Sequence, residues 1–519
     1  MSETQLPPPR VVLCVAPVHA IEQQRAYVGD IPSIGTAYLA SSLEAAGFPT
    51  EVFNAGVVAV TPAELAARIV AVEPALVGFT LYDDNFGATF QTIHALREHY
   101  TGPVVLGGYT ATFTAERLLS LWSKVDFVIV GEGEGPLVRL MQQLQAGGPL
   151  DEVPSLAFRR DGDVVLTPRA PPAVLDDLPW PQRRWPKTGD ATPLLTGRGC
   201  GSSCSICAMV PFYDRTAGPA VRRREPVDVV DEMAHCFERG SELFFMYDDC
   251  FPLASRADRA WCARFLAELE RRDLRVPFMV QTRVIDVLRG RDLIPELEAA
   301  GLCHLSLGVE SLVPRQLELY GKLHTVPQSL EAMEILAQRP LRTHFNVLFW
   351  DPHLSLAEAR EHARLIVEHG LDNQEASVGN PSHRSVLTPF AGTGVHRWMM
   401  DQGLAQRDLF AFHQVHWDFV DPGLRSFFHG AYQRFLQRVE VPRPQALWLI
   451  SLMHELRGRP SLSQRISQLA STAAGHEFAY FQAVLEQGAL DDGLEALDRT
   501  LGADFREAAG AVQAAVAIQ

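Results

Sequence analysis

The chain has 519 residues, a formal net charge of −16, 47% hydrophobic and 21% charged residues; at roughly 150 residues per domain it implies about three or four domains. No apolar run approaches the roughly 18 residues that cross a bilayer, and the start MSETQLPPPR carries neither an export signal nor an Arg-rich amphipathic one. The acidic balance argues against nucleic acid as the main partner, so a cytoplasmic protein working off the membrane is expected.

Residues 1–150 alternate short β-branched runs (RVVLCVA, TEVF, ALVGFT, PVVLG, DFVIV) with helical patterns. IGTAYLASSLEAAG closes on Gly47, and TPAELAARIVAV opens on a capping box of Thr61 and Glu64. This predicts a Rossmann-like, doubly wound α/β sheet with its ligand at the strand carboxyl ends. Residues 151–190, with PPAVLDDLPWPQRRWP, read as a Pro-rich linker holding a small strand or two.

Residues 191–400 alternate again, through PLLT, ELFFMY, PFMVQ, CHLSLG, THFNVLFW and a weaker run at 375–378. Six βα units predict a partial (β/α)6 barrel of TIM type, with chemistry at the carboxyl ends of its strands. Residues 401–519 lose the strands, and QALWLISLMHELRG and EFAYFQAVLEQG read as helices of a carboxyl-terminal domain.

Cys200, Cys204 and Cys207 cluster in GCGSSCSICA, just after PLLT. Structural zinc asks for four tetrahedral ligands, usually two close pairs, and no second pair is present. A three-thiolate catalytic zinc and an iron–sulfur cluster short of one ligand both stay open. Cys14, Cys236, Cys262 and Cys303 read as small buried side chains, while Cys250, next to an acidic pair, divides between that reading and a site. The run Arg222-Arg223-Arg224 reads as a solvated helix entry.

With Ile206 at the apolar position, Cys-x3-Cys-x-Φ-Cys resembles the signature of the radical S-adenosylmethionine superfamily. The resemblance implies a 4Fe-4S cluster on Cys200, Cys204 and Cys207 whose free iron takes S-adenosylmethionine. Tyr247-Asp248-Asp249, Gln281-Thr-Arg283, Gly308-Val-Glu310-Ser311 and Thr388-Pro389-Phe390-Ala391-Gly392-Thr393 are similar to that family's later strand-end elements. By the same resemblance, Ile206, Tyr247, Asp248, Asp249, Gln281, Arg283, Gly308, Glu310, Pro389 and Thr393 would contact S-adenosylmethionine.

The first domain resembles the cobalamin-binding module fused to many such enzymes. Asp30-Ile-Pro32-Ser-Ile-Gly35 keeps a D-x-H-x-x-G frame with Pro32 where the cobalt-ligating histidine would stand. Gly78-Phe-Thr80, Gly107-Gly108 and Gly131-Glu132-Gly133-Glu134 match its other strand-end elements. The resemblance implies that Pro32, Gly35, Gly78, Thr80, Gly107, Gly108, Gly131, Glu132 and Gly133 line the cobalamin site, with no histidine nitrogen on cobalt; His19 reads as a solvated loop residue.

The expected activity is a cobalamin-dependent methyl transfer to an unactivated carbon of a small-molecule or peptide natural product, by way of a 5′-deoxyadenosyl radical. A flavodoxin- or ferredoxin-type donor would supply electrons. Cyclisation, rearrangement or oxidation with the same cofactors is the rival enzyme reading, and a cobalamin or cluster sensor without turnover is the reading from another class. No catalytic residue beyond the cofactor ligands is assigned from the sequence.

Overall fold

A computed structural model describes residues 9–16, 33–55, 60–82, 85–183, 192–213, 218–372, 382–407, 415–439, 447–489, 499–504, 506–507 and 510. The first domain is built on β1 (Val11–Val15), β2 (Thr50–Asn54), β3 (Leu76–Thr80), β4 (Val104–Gly107) and β5 (Phe127–Ile129). These run parallel in the order β2-β1-β3-β4-β5. All five residues of β1 are buried, because helices cover both faces of the sheet. Val11 and Leu13 pack with Ala40, Leu43, Leu137 and Leu140 on one face. Val12 and Cys14 pack with Leu65, Ile69, Ile93 and Leu118 on the other. Connections leave β1 and β3 in opposite directions, which opens a crevice at their carboxyl ends.

The sheet does not stop at residue 150. Two strands from the segment expected as a linker, β6 (Leu156–Arg160) and β7 (Asp163–Leu166), extend it antiparallel beyond β5. Asp161 and Gly162, at φ 53° and 95°, make the tight turn between them, as an Asp-Gly pair in a two-residue hairpin does.

The second region holds β8 (Thr192–Leu194), β9 (Gly197–Gly199), β10 (Val221–Arg223), β11 (Phe244–Met246), β12 (Phe278–Arg283), β13 (Leu302–Glu310) and β14 (Arg342–Val347). A parallel sheet in the order β14-β13-β12-β11-β8 forms the barrel wall, and β9 with β10 makes an antiparallel hairpin just beyond β8. The sixth strand expected at 375–378 lies outside the described residues. On β13, Leu305, Leu307 and Val309 join the large core under the helices. The alternate residues Ser306, Gly308 and Glu310 face the opposite side and stay partly exposed, as do Gln281 and Arg283 on β12.

The helical carboxyl-terminal region shares that core. Phe478, Tyr480 and Phe481 of the helix Pro460–Gln487 belong to the same cluster as Trp350 and Tyr432. Leu452, on the helix Leu447–Leu456, packs on Leu243 and Met279 at the amino ends of β11 and β12. Arg342, at the start of β14, donates to Ser451 (3.0 Å), Glu455 (2.7 Å) and Ser463 (2.9 Å). The helix Leu447–Leu456 therefore covers the amino ends of these strands, opposite the cysteine loop. Among the described residues no helix is long and apolar enough to cross a membrane.

Candidate functional site

The cysteine loop leaves the β9–β10 hairpin at Gly199. That residue sits at φ 88°, and a Cβ there would lie 2.1 Å from the Ala220 carbonyl oxygen, so only glycine lets the two strands meet. Asp248 and Asp249 clamp the hairpin from β11. The Asp248 carboxylate accepts from the backbone N–H of Thr196 (2.7 Å) and Gly197 (3.2 Å), from the Thr196 hydroxyl, and from Arg223 (3.2 Å). Asp249 accepts from the Gly199 N–H at 2.7 Å and from the Tyr213 hydroxyl. Burial pushes both carboxyls up, against the pull of these donors. Asp248 is wholly buried, and its carboxylate oxygens are committed to the hairpin.

Cys200, Cys204 and Cys207 are half-buried and form no disulfide. Cys200 is held down to about 5, first by a hydrogen bond from the Cys250 thiol and then, against burial, by the Arg283 charge. Arg283 Nη1 lies 3.6 Å from the Cys200 sulfur and 2.6 Å from the Ser202 hydroxyl, with its guanidinium steadied by Asp286. Burial pushes the Cys207 thiol up, although the Met209 and Val210 amides oppose it. Beside them, Lys322 pairs with Glu310 at 2.8 Å. Burial works against the Lys322 charge, yet Glu310 and the sulfurs of Cys204 and Cys207 keep it above the ordinary lysine range. Thiols paired with nearby cations and free of disulfides fit the ligand chemistry of an iron–sulfur cluster. Among the described residues no three such side chains converge on a single metal ion, a geometry distinct from a cluster, in which each thiolate binds its own iron.

The loop is gripped from behind. Ser205 N–H donates to the Tyr320 carbonyl (2.9 Å), its hydroxyl to that of Leu319 (2.6 Å), and Val395 N–H donates to Ser205 O (2.8 Å). Ile206 packs with Tyr320, Leu387 and Val395. Pro389 and Thr393 are buried in the same turn, where the Thr393 hydroxyl donates to Phe390 O at 2.6 Å and accepts from His396 N–H at 3.2 Å. Gln281 donates to the Asp248 carbonyl at 2.6 Å. Glu310 adopts φ 67°, a left-handed conformation costly for a non-glycine residue, and a Cβ on Gly308 would lie 2.7 Å from its Oε1. Tyr247 is half-exposed, its ring edge-on to Phe245. Ile206, Pro389, Thr393 and Gln281 thus support the loop, whereas Arg283, Glu310, Gly308 and Tyr247 lie toward the partly open side.

In the first domain a cavity of about 60 Å³ brings Gly78, Thr80, Gly107, Gly108, Gly131 and Gly133 together between walls made by Leu13, Leu39 and Leu137. A Cβ on Gly107 would meet nothing within 4 Å and project into free space. Gly108, at φ 92° and ψ 176°, is in a region open essentially to glycine alone. Gly78 is small for another reason: a Cβ there would lie 2.8 Å from Leu13 Cδ2. Glycine strand ends and apolar walls fit the tail of cobalamin, which needs close approach to backbone. Gly35 is exposed and off this cavity, and Pro32 and His19 lie outside the described residues.

Glu132 is not among the residues lining this cavity. Its carboxylate leaves the tail cavity and pairs with Arg198 (2.6 Å) and Arg222 (2.9 Å) of the cysteine hairpin. The run expected as a solvated helix entry is committed likewise: Arg223 to Asp248, and Arg224 to Glu232 (2.6 Å) and Asp228 (2.5 Å). The sequence reading also passed over Arg198, and it left Cys250 undecided; the structure buries Cys250 against Asp286 (3.4 Å) and Cys200.

The profile of the B12 binding domain matches residues 25–141, and that of the radical SAM superfamily matches 194–366. Among curated proteins, the anaerobic magnesium-protoporphyrin IX monomethyl ester cyclase of Rubrivivax gelatinosus is 30% identical over 61% of this chain, which covers 58% of that protein. The hopanoid C-3 methylase of Methylococcus capsulatus is 26% identical over 56% of this chain and 53% of its own length. The chain thus spans little more than half the length of these relatives. Among solved structures, the cobalamin-dependent S-adenosylmethionine radical enzyme OxsB superposes with a TM-score of 0.67 at 14% identity, over 98% of this chain and 80% of OxsB. The radical S-adenosylmethionine methyltransferase TsrM of Kitasatospora setae does so with 0.58 at 20%, over 69% of this chain and 71% of TsrM. With both family domains in one chain, each carrying a site whose residues fit the corresponding cofactor, the protein belongs to the cobalamin-binding radical S-adenosylmethionine enzymes.

Proposed function

We propose that this enzyme transfers a methyl group to an unactivated carbon of a small-molecule or peptide substrate, acting in the cytoplasm with electrons from a flavodoxin- or ferredoxin-type donor. What supports methyl transfer is the likeness to the hopanoid C-3 methylase, 26% identical over 56% of this chain, and the ionic bridge from Glu132 and Glu134 to Arg198, two residues before Cys200, ties the cobalamin cleft to the cluster loop that this reaction uses together. When bound, the cluster with S-adenosylmethionine supplies hydrogen abstraction from carbon, and cobalamin supplies a methyl carrier.

The chain's own residues bind, orient and exclude water around that chemistry. Cys200, Cys204 and Cys207 hold the cluster, and Arg283 offsets thiolate charge beside Cys200. Asp248 and Asp249 fix the loop's take-off, while Lys322, positioned by Glu310, offers a cation toward the cluster side. Leu452 and its neighbours shut the barrel's amino end, which leaves the cysteine end for the substrate, against the half-exposed Tyr247.

A second reading rests on the cyclase relatives, 23–30% identical, and assigns ring-forming oxidation to the same site. Deuteromethyl-labelled S-adenosylmethionine, supplied with reductant to the loaded enzyme and candidate substrates, separates the two. Methyl transfer yields labelled product with both S-adenosylhomocysteine and 5′-deoxyadenosine. Product with 5′-deoxyadenosine and no S-adenosylhomocysteine favours ring formation and overturns methyl transfer.

A further inference from the structure

Arg198 touches both walls of the cobalamin cleft. Its Nη1 and Nη2 pair with Glu132 and Glu134, each at 2.6 Å, on the segment that also supplies Gly131 and Gly133 to the cavity. Its guanidinium also lies over the Tyr38 ring, 5.4 Å from the centroid. Tyr38 belongs to the helix Ile34–Ala45, whose Thr36 and Leu39 form the facing wall. A single buried side chain therefore joins wall to wall. Backbone continuity then runs from Arg198 through Gly199, whose N–H is held by Asp249, to Cys200.

We propose that Arg198 is a positioning residue that couples the two cofactor sites: ordering the cysteine loop around its cluster fixes the hairpin, which fixes Arg198, which sets the spacing of the cleft walls. The inference rests on the cobalamin and cluster assignments above. Geometry favours arginine specifically, because a planar fork reaches two carboxylates and stacks on a ring at once, whereas a lysine ammonium is a point charge. Coupling of this kind is reciprocal, so cluster loading tightens cobalamin binding by the same factor as cobalamin tightens cluster retention.

The test is a hydroxocobalamin titration of the full chain with and without its cluster, read by equilibrium dialysis, with iron content and thermal midpoint as controls. The wild type should bind hydroxocobalamin at least about fivefold more tightly when cluster-loaded, the low end of usual coupling factors. Arg198→Met should bring the two affinities within about twofold of each other, and Arg198→Lys should restore only part of the difference. Should Arg198→Met fail to fold because it strands the buried Glu134 and takes one of the two arginines from Glu132, Arg198→Met with Glu132→Gln and Glu134→Gln removes those charges and should show the same loss of coupling. Equal affinities in the two wild-type states, or undiminished coupling in the Met variants, overturns the inference alone. No hydroxocobalamin binding by the wild type in either state overturns the cobalamin assignment and the inference together.

Discussion

Arg198 and Glu134 meet at 2.6 Å with both side chains buried, although 64 residues separate them in the chain. Glu132 shares the same guanidinium and is held below the usual carboxylate range; burial would raise it, but Arg198 and Arg222 more than reverse that. A carboxyl lowered on folding contributes stability above its unfolded pKa, and loses it as pH falls through the folded value. Glu132→Gln should therefore destabilise the chain by about 3 kcal/mol at pH 7, where it breaks a buried pair. The gap to wild type should narrow as pH drops below about 4, near the unfolded glutamate pKa. Thermal midpoints of both chains across that range check it.

Gly107 and Gly108 stand side by side but should respond differently to substitution. A Cβ at Gly107 has free space, so Gly107→Ala should fold normally, while Gly107→Trp should abolish cobalamin binding by filling the cavity. Gly108→Ala forces φ 92° on an L side chain and places its Cβ 2.9 Å from Leu81 O, so it should cost about 1–3 kcal/mol of stability even without ligand. Corrinoid absorbance after gel filtration and thermal midpoints separate the two effects.

Iron content tests the cysteine assignment independently of turnover. Cys204→Ala should lose the cluster. Cys262→Ala should keep it, because that thiol is buried under the barrel helices and donates to Pro252 O at 2.8 Å. Equal iron in both variants would contradict the ligand set.

Asp248→Ala should loosen the cluster loop. It strands the N–H groups of Thr196 and Gly197 and leaves Arg223 only the Cys250 carbonyl and Asp258, and each buried donor left unmade costs about 1–3 kcal/mol. Iron should reconstitute severalfold less fully, while the far-ultraviolet circular dichroism stays near wild type.

Local patterns made much of this legible from the sequence. The buried runs of β1 and β3 and the capping box at Thr61 and Glu64, seen in the 2.8 and 3.2 Å bonds between them, are decided within a few residues. The small strand or two expected in the proline-rich stretch are β6 and β7, turned by Asp161-Gly162; what was not legible is that they join the first sheet. The roles of Asp248, Glu132 and Arg222 were not legible, since a carboxylate near a strand end reads the same whether it faces a ligand or a backbone 50 residues away. Cys250 shows the same limit: its meaning comes from Cys200 and Asp286, which only the fold brings beside it.

Support of reductive S-adenosylmethionine cleavage by Cys200, Cys204 and Cys207 is read out by quantifying 5′-deoxyadenosine from the reconstituted chain under anaerobic conditions with a low-potential reductant. The wild type should form 5′-deoxyadenosine, and Cys200→Ala, Cys204→Ala and Cys207→Ala should form none above background. A cluster-loaded wild type that forms none, or a Cys204→Ala chain that forms as much as wild type, would contradict it.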